Sequence, residues 1–432
     1  MSTVLGFENK WFPLDNAAKL YPAILGPKHS CVFRISVNMR SKVNHAFLSR
    51  AVEDCRARFP GMYVRLRRGM FWNYYEANER PCVVRLESPY MNQHIDTNAT
   101  NGYHFTFSYY ENRITLETFH SLCDGSGALE FLKAVTYRYL ELLGHALSPE
   151  GLVLTVHEAP REEELEDSFL KHYSVTPTDR GEVKPAYRLR GTRISAMGGD
   201  GAINGKMDVS ALSALAKARG ATLTQYLTAA LTYAVYLSDP NIRRSKRPIN
   251  VCVPVNMRRY HDSKTLRNFS LFFHTSIPCR HLDLTFGDIL SLVKGQFAFE
   301  IKKEKLQGYL NANVAAEKNI ALRICPLPLK MLALRLTNYM LGSLLATVTL
   351  SNLGDVVLPS GMREHVKDFD FNLSVGNQLT HGVGVASCNG RLTVSILRGI
   401  YETEFERCFF SFLASEGIDV EIQSNLREEY EF

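Results

Sequence analysis

The sequence predicts an α/β protein with mixed sheets in both halves of the chain. Strand-like alternation of apolar and polar residues occurs at 103–120 and 249–256, and amphipathic helical spacing occurs at 127–143 and 223–237. Because both patterns occur in each half, neither half is all-helical or all-β. A chain of 432 residues exceeds what one hydrophobic core usually serves, so we expect two domains.

The predicted elements follow from local spacing. Those of the first half are a helix at 45–59, strands at 63–66 and 71–75, a hairpin of 103–110 and 113–120, and a helix at 127–143. Those of the second half are helices at 208–218, 223–237, 285–305 and 327–343, strands at 249–256 and 347–350, and a hairpin turning at Asn389-Gly390. Residues 157–200 lack periodicity, so we predict an N-terminal subdomain at 1–160, a linker at 161–200 and a C-terminal subdomain at 201–432.

Composition excludes several classes of protein. Fifty basic and 44 acidic residues give a formal charge of +6, too little for a dedicated nucleic-acid binder. Nine scattered cysteines without a CxxC pair indicate reduced thiols, and neither they nor the histidines show metal-ligand spacing. The first residues have no apolar signal region, and the apolar stretch at 327–350 is interrupted by charges. We therefore expect a cytoplasmic protein without a membrane span, a metal or a nucleic-acid partner.

The segment with the clearest chemical character is His120–Gly125, with the sequence HSLCDG. Period-2 alternation places His120 on the inward face of its strand, together with Ile114 and Leu116. At the end of such a strand, His120 is either a core residue or a base exposed in a cleft. Asp124 either orients the imidazole or pairs with a distant arginine. Gly125 suits a turn with positive φ or a close approach of the backbone.

Several further segments occur in a recognisable order. These are the hairpin followed by His-x-x-x-Asp-Gly and a helix, 253–258 (VPVNMR), 267–269 (RNF), 351–354 (SNLG), 11–18 (WFPLDNAA) and 68–72 (RGMFW). Together they resemble the CoA-dependent acyltransferase superfamily, which includes chloramphenicol acetyltransferases, plant BAHD enzymes, alcohol acetyltransferases and peptide-synthetase condensation domains. The SNLG segment and the N-terminal segments resemble those of bacterial alcohol acetyltransferase-like proteins.

The resemblance implies a fold and a mechanism. Two chloramphenicol-acetyltransferase-like subdomains would form a V around a solvent tunnel, with His120 at its middle as the general base. The acyl donor would be acyl-CoA, as a co-substrate and not a permanently bound cofactor. A small alcohol or amine would accept the acyl group in a direct ternary complex. Asp124 would be structural, pairing with Arg258, whereas Ser351, Asn352 and Asn268 would line the tunnel, hold the oxyanion or serve strand-end roles.

The sequence also departs from relatives. Phe119 replaces the second histidine of condensation domains, 368–371 (DFDF) does not reproduce the BAHD motif DFGWG, and Arg267 occupies the glycine position of a Gly-Asn element. Cys123 is interpreted as a small buried residue and not as a nucleophile. The basic run 243–247 is interpreted as a solvated loop. Two alternatives stay open: a stand-alone condensation-like enzyme that takes its donor from an acyl carrier protein, and a non-catalytic binding module.

Overall fold

The computed structural model describes residues 11–26, 29–91, 93–175, 183–194, 199–339, 344–376 and 379–425. The elements of the first half, in chain order, are β1 (Trp11–Pro13), α1 (Tyr21–Ile24), β2 (Val32–Met39), α2 (His45–Asp54), β3 (Val64–Arg68), β4 (Asn73–Ala77), β5 (Val84–Leu86), β6 (Phe105–Tyr110), β7 (Arg113–Phe119), α3 (Gly125–Leu142) and α4 (Ser168–Lys171).

The second half continues this mixture of helices and strands. Its elements are β8 (Gly201–Asp208), α5 (Val209–Ala218), α6 (Leu223–Ser238), β9 (Ile249–Asn256), β10 (Ser270–Ile277), α7 (Phe286–Glu300), α8 (Lys303–Lys318), α9 (Ile320–Ile324), α10 (Leu327–Asn338), β11 (Val348–Asp355), α11 (Ser360–Arg363), β12 (Val366–Asn372), β13 (His381–Cys388), β14 (Arg391–Arg398), α12 (Glu404–Ser415) and β15 (Glu421–Ser424).

The first large sheet has the strand order β12-β2-β7-β6-β5. Ile114 and Leu116 of β7 are fully buried in a core that also contains residues from α2 and α3. The inward face predicted for this strand by alternation is therefore confirmed. A smaller sheet, β1-β4-β3, lies beside it in the first half of the chain.

The second large sheet has seven strands in the order β10-β9-β11-β13-β14-β8-β15. Val251 and Val253 of β9 and Val348 and Leu350 of β11 belong to its core, which α6, α7 and α12 cover. Because side chains alternate along a strand, the opposite face of β9 and β11 is available to the first half of the chain. Asn256 of β9 uses it to reach Ser126 of α3, 3.0 Å away.

Strand β12 joins the two halves. It pairs with β2 in the first sheet, although its residues fall within the segment predicted as the C-terminal subdomain. The boundary predicted at residue 201 therefore describes chain order but misplaces this strand. Two of its carboxylates, Asp368 and Asp370, bind Lys206 of β8 at 2.7 and 3.2 Å. The DFDF segment thus contributes a buried ion cluster between the sheets.

The predicted linker at 161–200 is packed at its beginning. Glu164 forms a buried bidentate ion pair with Arg58, at 2.6 and 2.8 Å, and its carbonyl accepts a hydrogen bond from the backbone of Leu266. Phe169 of α4 lies in a third apolar cluster with Phe269. Residues 176–182 and 195–198 of this segment lie outside the described residues.

Helix lengths differ from several predictions. The helix predicted at 45–59 ends at Asp54, and the one predicted at 285–305 ends at Glu300. Lys302 is extended and precedes a separate helix, α8, which apolar spacing did not reveal. Within the described residues, no helix combines the length and apolar character needed to cross a membrane.

Candidate active site

His120 lies at the junction between β7 and α3. Strand β7 ends at Phe119, and the His120 backbone N–H donates to the carbonyl of Cys31 at 2.8 Å. The chain then turns, and α3 begins at Gly125 with Asp124 as its N-cap. An N-cap carboxylate accepts hydrogen bonds from the otherwise unpaired first amides of a helix. This local chemistry fixes the loop that carries the imidazole.

A chain of buried polar groups orients the imidazole. Nδ1 of His120 lies 3.1 Å from Oδ1 of Asn268. The amide nitrogen of Asn268 donates to the Asp15 carboxylate at 3.2 Å, which determines which end of the amide faces His120. Because an amide oxygen can only accept, Nδ1 carries the hydrogen, and the lone pair of the neutral ring lies on Nε2.

Aromatic rings enclose His120. Tyr21 of α1 stacks on it with ring centroids 4.4 Å apart, and Phe33 of β2 meets its edge at 5.0 Å. This burial lowers the pKa of His120 below its ordinary value of 6.5, although the charge of Asp124 opposes the shift. The side chain nevertheless keeps partial solvent access. A neutral, accessible imidazole at physiological pH can accept a proton.

Asp15 is the buried end of the chain of polar groups. Burial raises the pKa of its carboxyl, and the charge of Arg267 acts in the opposite direction. Arg267 lies 3.5 Å from Asp15 and also donates to the carbonyl of Pro13 at 2.7 Å. Arg267, which stands where the resemblance led us to expect glycine, therefore stabilises the carboxylate that holds Asn268.

Asp124 and Arg258 form a two-point ion pair between the halves of the chain. Their nitrogen–oxygen distances are 2.8 and 3.2 Å. The backbone of Phe269 and the hydroxyl of Ser270 also donate to Asp124, both at 2.9 Å. Burial alone would raise the pKa of Asp124, but Arg258 and the backbone N–H groups of Phe269 and Gly127 hold it below 3.8. The carboxylate of Asp124 therefore joins the start of α3 to Arg258 and the 269–270 backbone of the second half, while Asn268 contacts the imidazole.

Arg258 also fixes the loop that contains Asn268. It donates to the carbonyls of Thr265 and Arg267, at 2.9 and 2.6 Å. The position of the 265–268 loop therefore determines both the ion pair with Asp124 and the contact between Asn268 and His120.

Two glycines permit the close approach of these elements. The backbone of Gly125 is helical, so the expectation of a positive φ is wrong. A Cβ there would lie 2.9 Å from a side-chain carbon of Leu353, which supports the alternative of close approach. At Gly127 a Cβ would lie only 1.9 Å from the carbonyl oxygen of Leu266. The start of α3 therefore packs directly against the backbone that leads to Asn268.

The other predicted site residues have distinct positions. Asn268 uses its amide oxygen toward His120 and its amide nitrogen toward Asp15, and its predicted tunnel or oxyanion role stays a prediction. Asn352 donates to Thr224 at 3.1 Å and accepts from its own strand end, which is a structural role. Ser351 lies on the face of β11 opposite Val348 and Leu350, which are buried in the core of the second sheet.

The remaining sequence candidates contribute no further chemistry. Cys123 is fully buried, and burial raises the pKa of its thiol well above the ordinary value, as befits a structural cysteine. Arg243, from the basic run, lies 3.5 Å from Asp283 and is half exposed. Among the described residues, no cluster of three or more His, Cys, Asp or Glu side chains could hold a metal ion.

The sequence does not predict two residues of the site. Asp15 and Tyr21 reach the site from a segment about 100 residues before His120, and no periodic pattern links them to it. The only sequence signal was the segment WFPLDNAA, which contains Asp15 and was noted for its resemblance alone.

A cavity of about 400 Å³ lies beside the ion pair. Its walls include Ser126 of α3, Asn256 and Arg258 of the second half, and Leu353. Its size is within the range of small-molecule pockets. The junction of the two halves thus provides space beside the start of α3 and Arg258, and His120 is not among the residues of this wall.

Comparison with known proteins gives structural matches only. No protein-family model and no curated protein sequence matches this chain. The structure of polyketide synthase associated protein 5 from Mycobacterium tuberculosis is 15% identical, with a TM-score of 0.57 over 94% of this chain and 98% of that one. The first condensation domain of the CDA synthetase is 13% identical, with a TM-score of 0.58 over 95% and 96%. The starter condensation domain of rhizomide synthetase, solved as a mutant with C8-CoA and Leu-SNAC, is 15% identical, with a TM-score of 0.56 over 94% of each chain.

The TM-scores and the coverage establish a common fold. At these low identities, the activity must be argued from the site. The predicted likeness to bacterial alcohol acetyltransferases rests on short motifs and stays a prediction. The mixed α/β architecture is confirmed, since the matches extend over almost the whole chain. The chain has the condensation-domain fold, with two chloramphenicol-acetyltransferase-like subdomains that meet at the loop of His120.

Proposed function

We propose that this protein is an acyltransferase that moves an acyl group from a thioester to a hydroxyl or amine, with His120 as general base. One observation carries the proposal: Asp15 and Asn268 hold the His120 ring so that the lone pair of Nε2 is available. A histidine that served only to fill the core would not need two buried polar residues to fix its tautomer.

The proposed reaction balances without a covalent enzyme intermediate. Nε2 of His120 takes the proton of the acceptor's O–H or N–H group as that atom attacks the thioester carbonyl carbon. The tetrahedral intermediate collapses, the C–S bond breaks, and the departing thiolate receives the proton from His120. A general base typically contributes about 10²–10⁴ in rate, and the remainder would come from holding donor and acceptor together.

We propose acyl-CoA as the donor, bound as a co-substrate without a resident cofactor, and a small alcohol or amine as the acceptor. The cavity beside the ion pair is lined by Lys133, Arg258 and Lys264, with Glu130 and Asp355 as its acidic residues. It offers space for an extended donor. Arg258 is paired with Asp124 and Lys133 with Glu130, so the charges of its wall are largely balanced.

An acyl carrier protein is the second candidate donor. The structural likeness to condensation domains favours it. One of these domains was solved with C8-CoA and with Leu-SNAC, an aminoacyl thioester mimic. A non-catalytic binding module is less consistent with the site, because such a module has no need for an oriented, neutral imidazole.

The test compares wild type with His120→Ala and measures free thiol release. Acetyl-, octanoyl- and palmitoyl-CoA serve as donors, each with a mixture of alcohols and a mixture of amines. We expect acceptor-dependent release from wild type and a loss of at least about 100-fold in the variant. His157→Ala, at an exposed histidine, is the matched control and should behave as wild type.

Other results distinguish the alternatives. Release from octanoyl-carrier protein but from none of the CoA esters would favour the carrier-protein donor. Equal release by wild type and His120→Ala would rule out His120 as the base. Absence of acceptor-dependent release with every donor would support the non-catalytic module.

A further inference from the structure

The short helices α9 and α10 expose an apolar surface. Six large apolar side chains on these two helices are between 40% and 75% exposed: Ile320, Leu322, Ile324, Leu329, Leu332 and Leu336. We call this set the leucine surface. Single exposed leucines are ordinary, but six exposed large apolar side chains within residues 320–336 are a concentration typical of an interaction site.

Helix α10 is attached to the protein in an unusual way. Of its twelve residues, only Leu327 and Lys330 are buried. Nζ of Lys330 donates to the carbonyl of Phe71 at 2.8 Å and lies 3.5 Å from the ring centroid of Trp72. A polar side chain therefore fastens the helix, while most of its leucines point outward. An amphipathic helix normally buries its apolar face, so this face lacks a partner within the described chain.

A basic groove also lies along α10 and shares Leu332 with the leucine surface. It has a volume of about 850 Å³, and Leu327, Met331 and Leu332 form part of its wall. The remainder of the wall contains five arginines and no acidic residue: Arg65, Arg67, Arg68, Arg80 and Arg335. We call it the arginine groove.

The arginine groove has an excess of positive charge. Arg65 and Arg67 share a single carboxylate, Glu76, at 2.6 and 2.7 Å. The surrounding sequence reinforces this charge, since residues 318–354 contain four basic residues and no aspartate or glutamate. A basic amphipathic segment with exposed leucines is typical of helices that lie in the headgroup region of a membrane.

We propose that the leucine surface and the arginine groove together dock this protein on the surface of an anionic lipid bilayer. The leucines would enter the boundary between headgroups and acyl chains, and the arginines would bind lipid phosphates. Each basic residue near an anionic leaflet contributes favourably, and the apolar burial adds to it. The adjacency of the two features on one helix favours a lipid surface, where charge and apolar chains are also adjacent.

The position of the groove connects this surface to the active site. Helix α1 places Tyr21 against the ring of His120. Pro22 of this helix and Leu25, which follows its end, line the arginine groove. If the proposed transferase function holds, the acceptor is a hydroxylated or aminated lipid that enters from the bilayer along α1. Docking itself does not depend on that function, and His120→Ala should bind vesicles as wild type does.

The test is vesicle co-sedimentation of the full chain. Vesicles of phosphatidylcholine alone are compared with vesicles that contain about one third phosphatidylglycerol, the anionic component recognised by basic residues. We expect wild type to partition at least about tenfold more strongly into the anionic vesicles. Leu332→Ser/Leu336→Ser and Arg67→Gln/Arg68→Gln should each reduce partitioning about tenfold or more.

Two control variants remove an exposed apolar side chain or two exposed arginines at sites outside the leucine surface and the arginine groove. Ile422→Ser lies on the edge strand β15, and Arg244→Gln/Arg247→Gln lies in the basic run; both sites are exposed and should leave partitioning unchanged. Urea unfolding verifies that every variant is folded. Equal partitioning into both vesicle types, or no effect of either groove or leucine variant, would overturn the proposal. A second result would also overturn it: wild type binds no vesicles but binds an acyl carrier protein, and Leu332→Ser/Leu336→Ser abolishes that protein–protein binding.

Discussion

Oδ1 of Asn268 lies 3.1 Å from Nδ1 of His120, although 148 residues separate them in the chain. The contact brings together the two subdomains at the proposed base. Asp15, on the far side of the amide, fixes the orientation of Asn268 and thereby the hydrogen on Nδ1. The reactive nitrogen is thus determined by residues that need not touch a substrate.

Asn268→Ala should reduce kcat without removing His120. The substitution deletes the acceptor of Nδ1–H, so the imidazole would populate both tautomers and more than one orientation. Loss of a residue that only orients a reactive side chain typically lowers activity about 10–100-fold. We expect a fall in kcat of that size with little change in KM. Steady-state thiol release checks this, with the conservative Asn268→Asp as a second variant. An unchanged kcat in Asn268→Ala, with the fold intact by circular dichroism, would contradict the orienting role.

Activity should be retained as the pH falls to 6.5. His120 must be neutral to accept a proton, and burial lowers its pKa below 6.5. The rate is therefore retained as the pH falls to that value and is lost only at lower pH, where the imidazole becomes protonated. The measurement is kcat/KM against pH with an alcohol acceptor, because an amine would itself titrate. An acid limb centred at or above pH 6.5 would be inconsistent with a buried base.

Local patterns could predict the parts of this site that lie on neighbouring elements. Alternation located His120 on the inner face of β7, and helical spacing located α3 immediately after it. The pairing of Asp124 with Arg258 required the family resemblance, since it joins residues 134 positions apart. The spacing of residues along the chain does not predict that two such distant residues meet, because their contact depends on how the two sheets pack.

The unpredicted parts have a common physical cause. Asp15 reaches Asn268 across 253 residues, and β12 leaves its own half to pair with β2. Both depend on tertiary contacts that local propensity does not encode. The DFDF segment was compared in the sequence only with a BAHD motif, and nothing in it predicts that the fold buries Asp368 and Asp370 around Lys206.

The ion pair between Asp124 and Arg258 should show strong energetic coupling. Removal of one partner leaves a charge in a mostly buried site, which typically costs about 3–5 kcal/mol. A double-mutant cycle with Asp124→Ala, Arg258→Ala and the double variant should give a coupling energy of about 1–3 kcal/mol. The measurement is the free energy of unfolding in urea. Strict additivity of the two single effects would show that the pair does not act as a unit.

Gly127→Ala should destabilise the protein and also impair the site. Its new methyl group would meet the Leu266 carbonyl oxygen at 1.9 Å, so the start of α3 must move away from the backbone that leads to Asn268. We expect a loss of about 1–3 kcal/mol in the free energy of unfolding and a lower kcat, because Asn268 would shift relative to His120.

The matched control is Gly295→Ala in the middle of α7, where a Cβ meets nothing within 4 Å. Alanine is the better helix former, so this variant should be more stable by about 0.5–1 kcal/mol, with unchanged activity. Urea unfolding and thiol release on the same preparations measure both effects. If the two variants behave alike, the contact between α3 and the 264–268 loop does not set the position of Asn268. If Gly127→Ala loses stability but keeps its full kcat, the site tolerates movement of this loop, and the close packing at Gly127 stabilises only the fold.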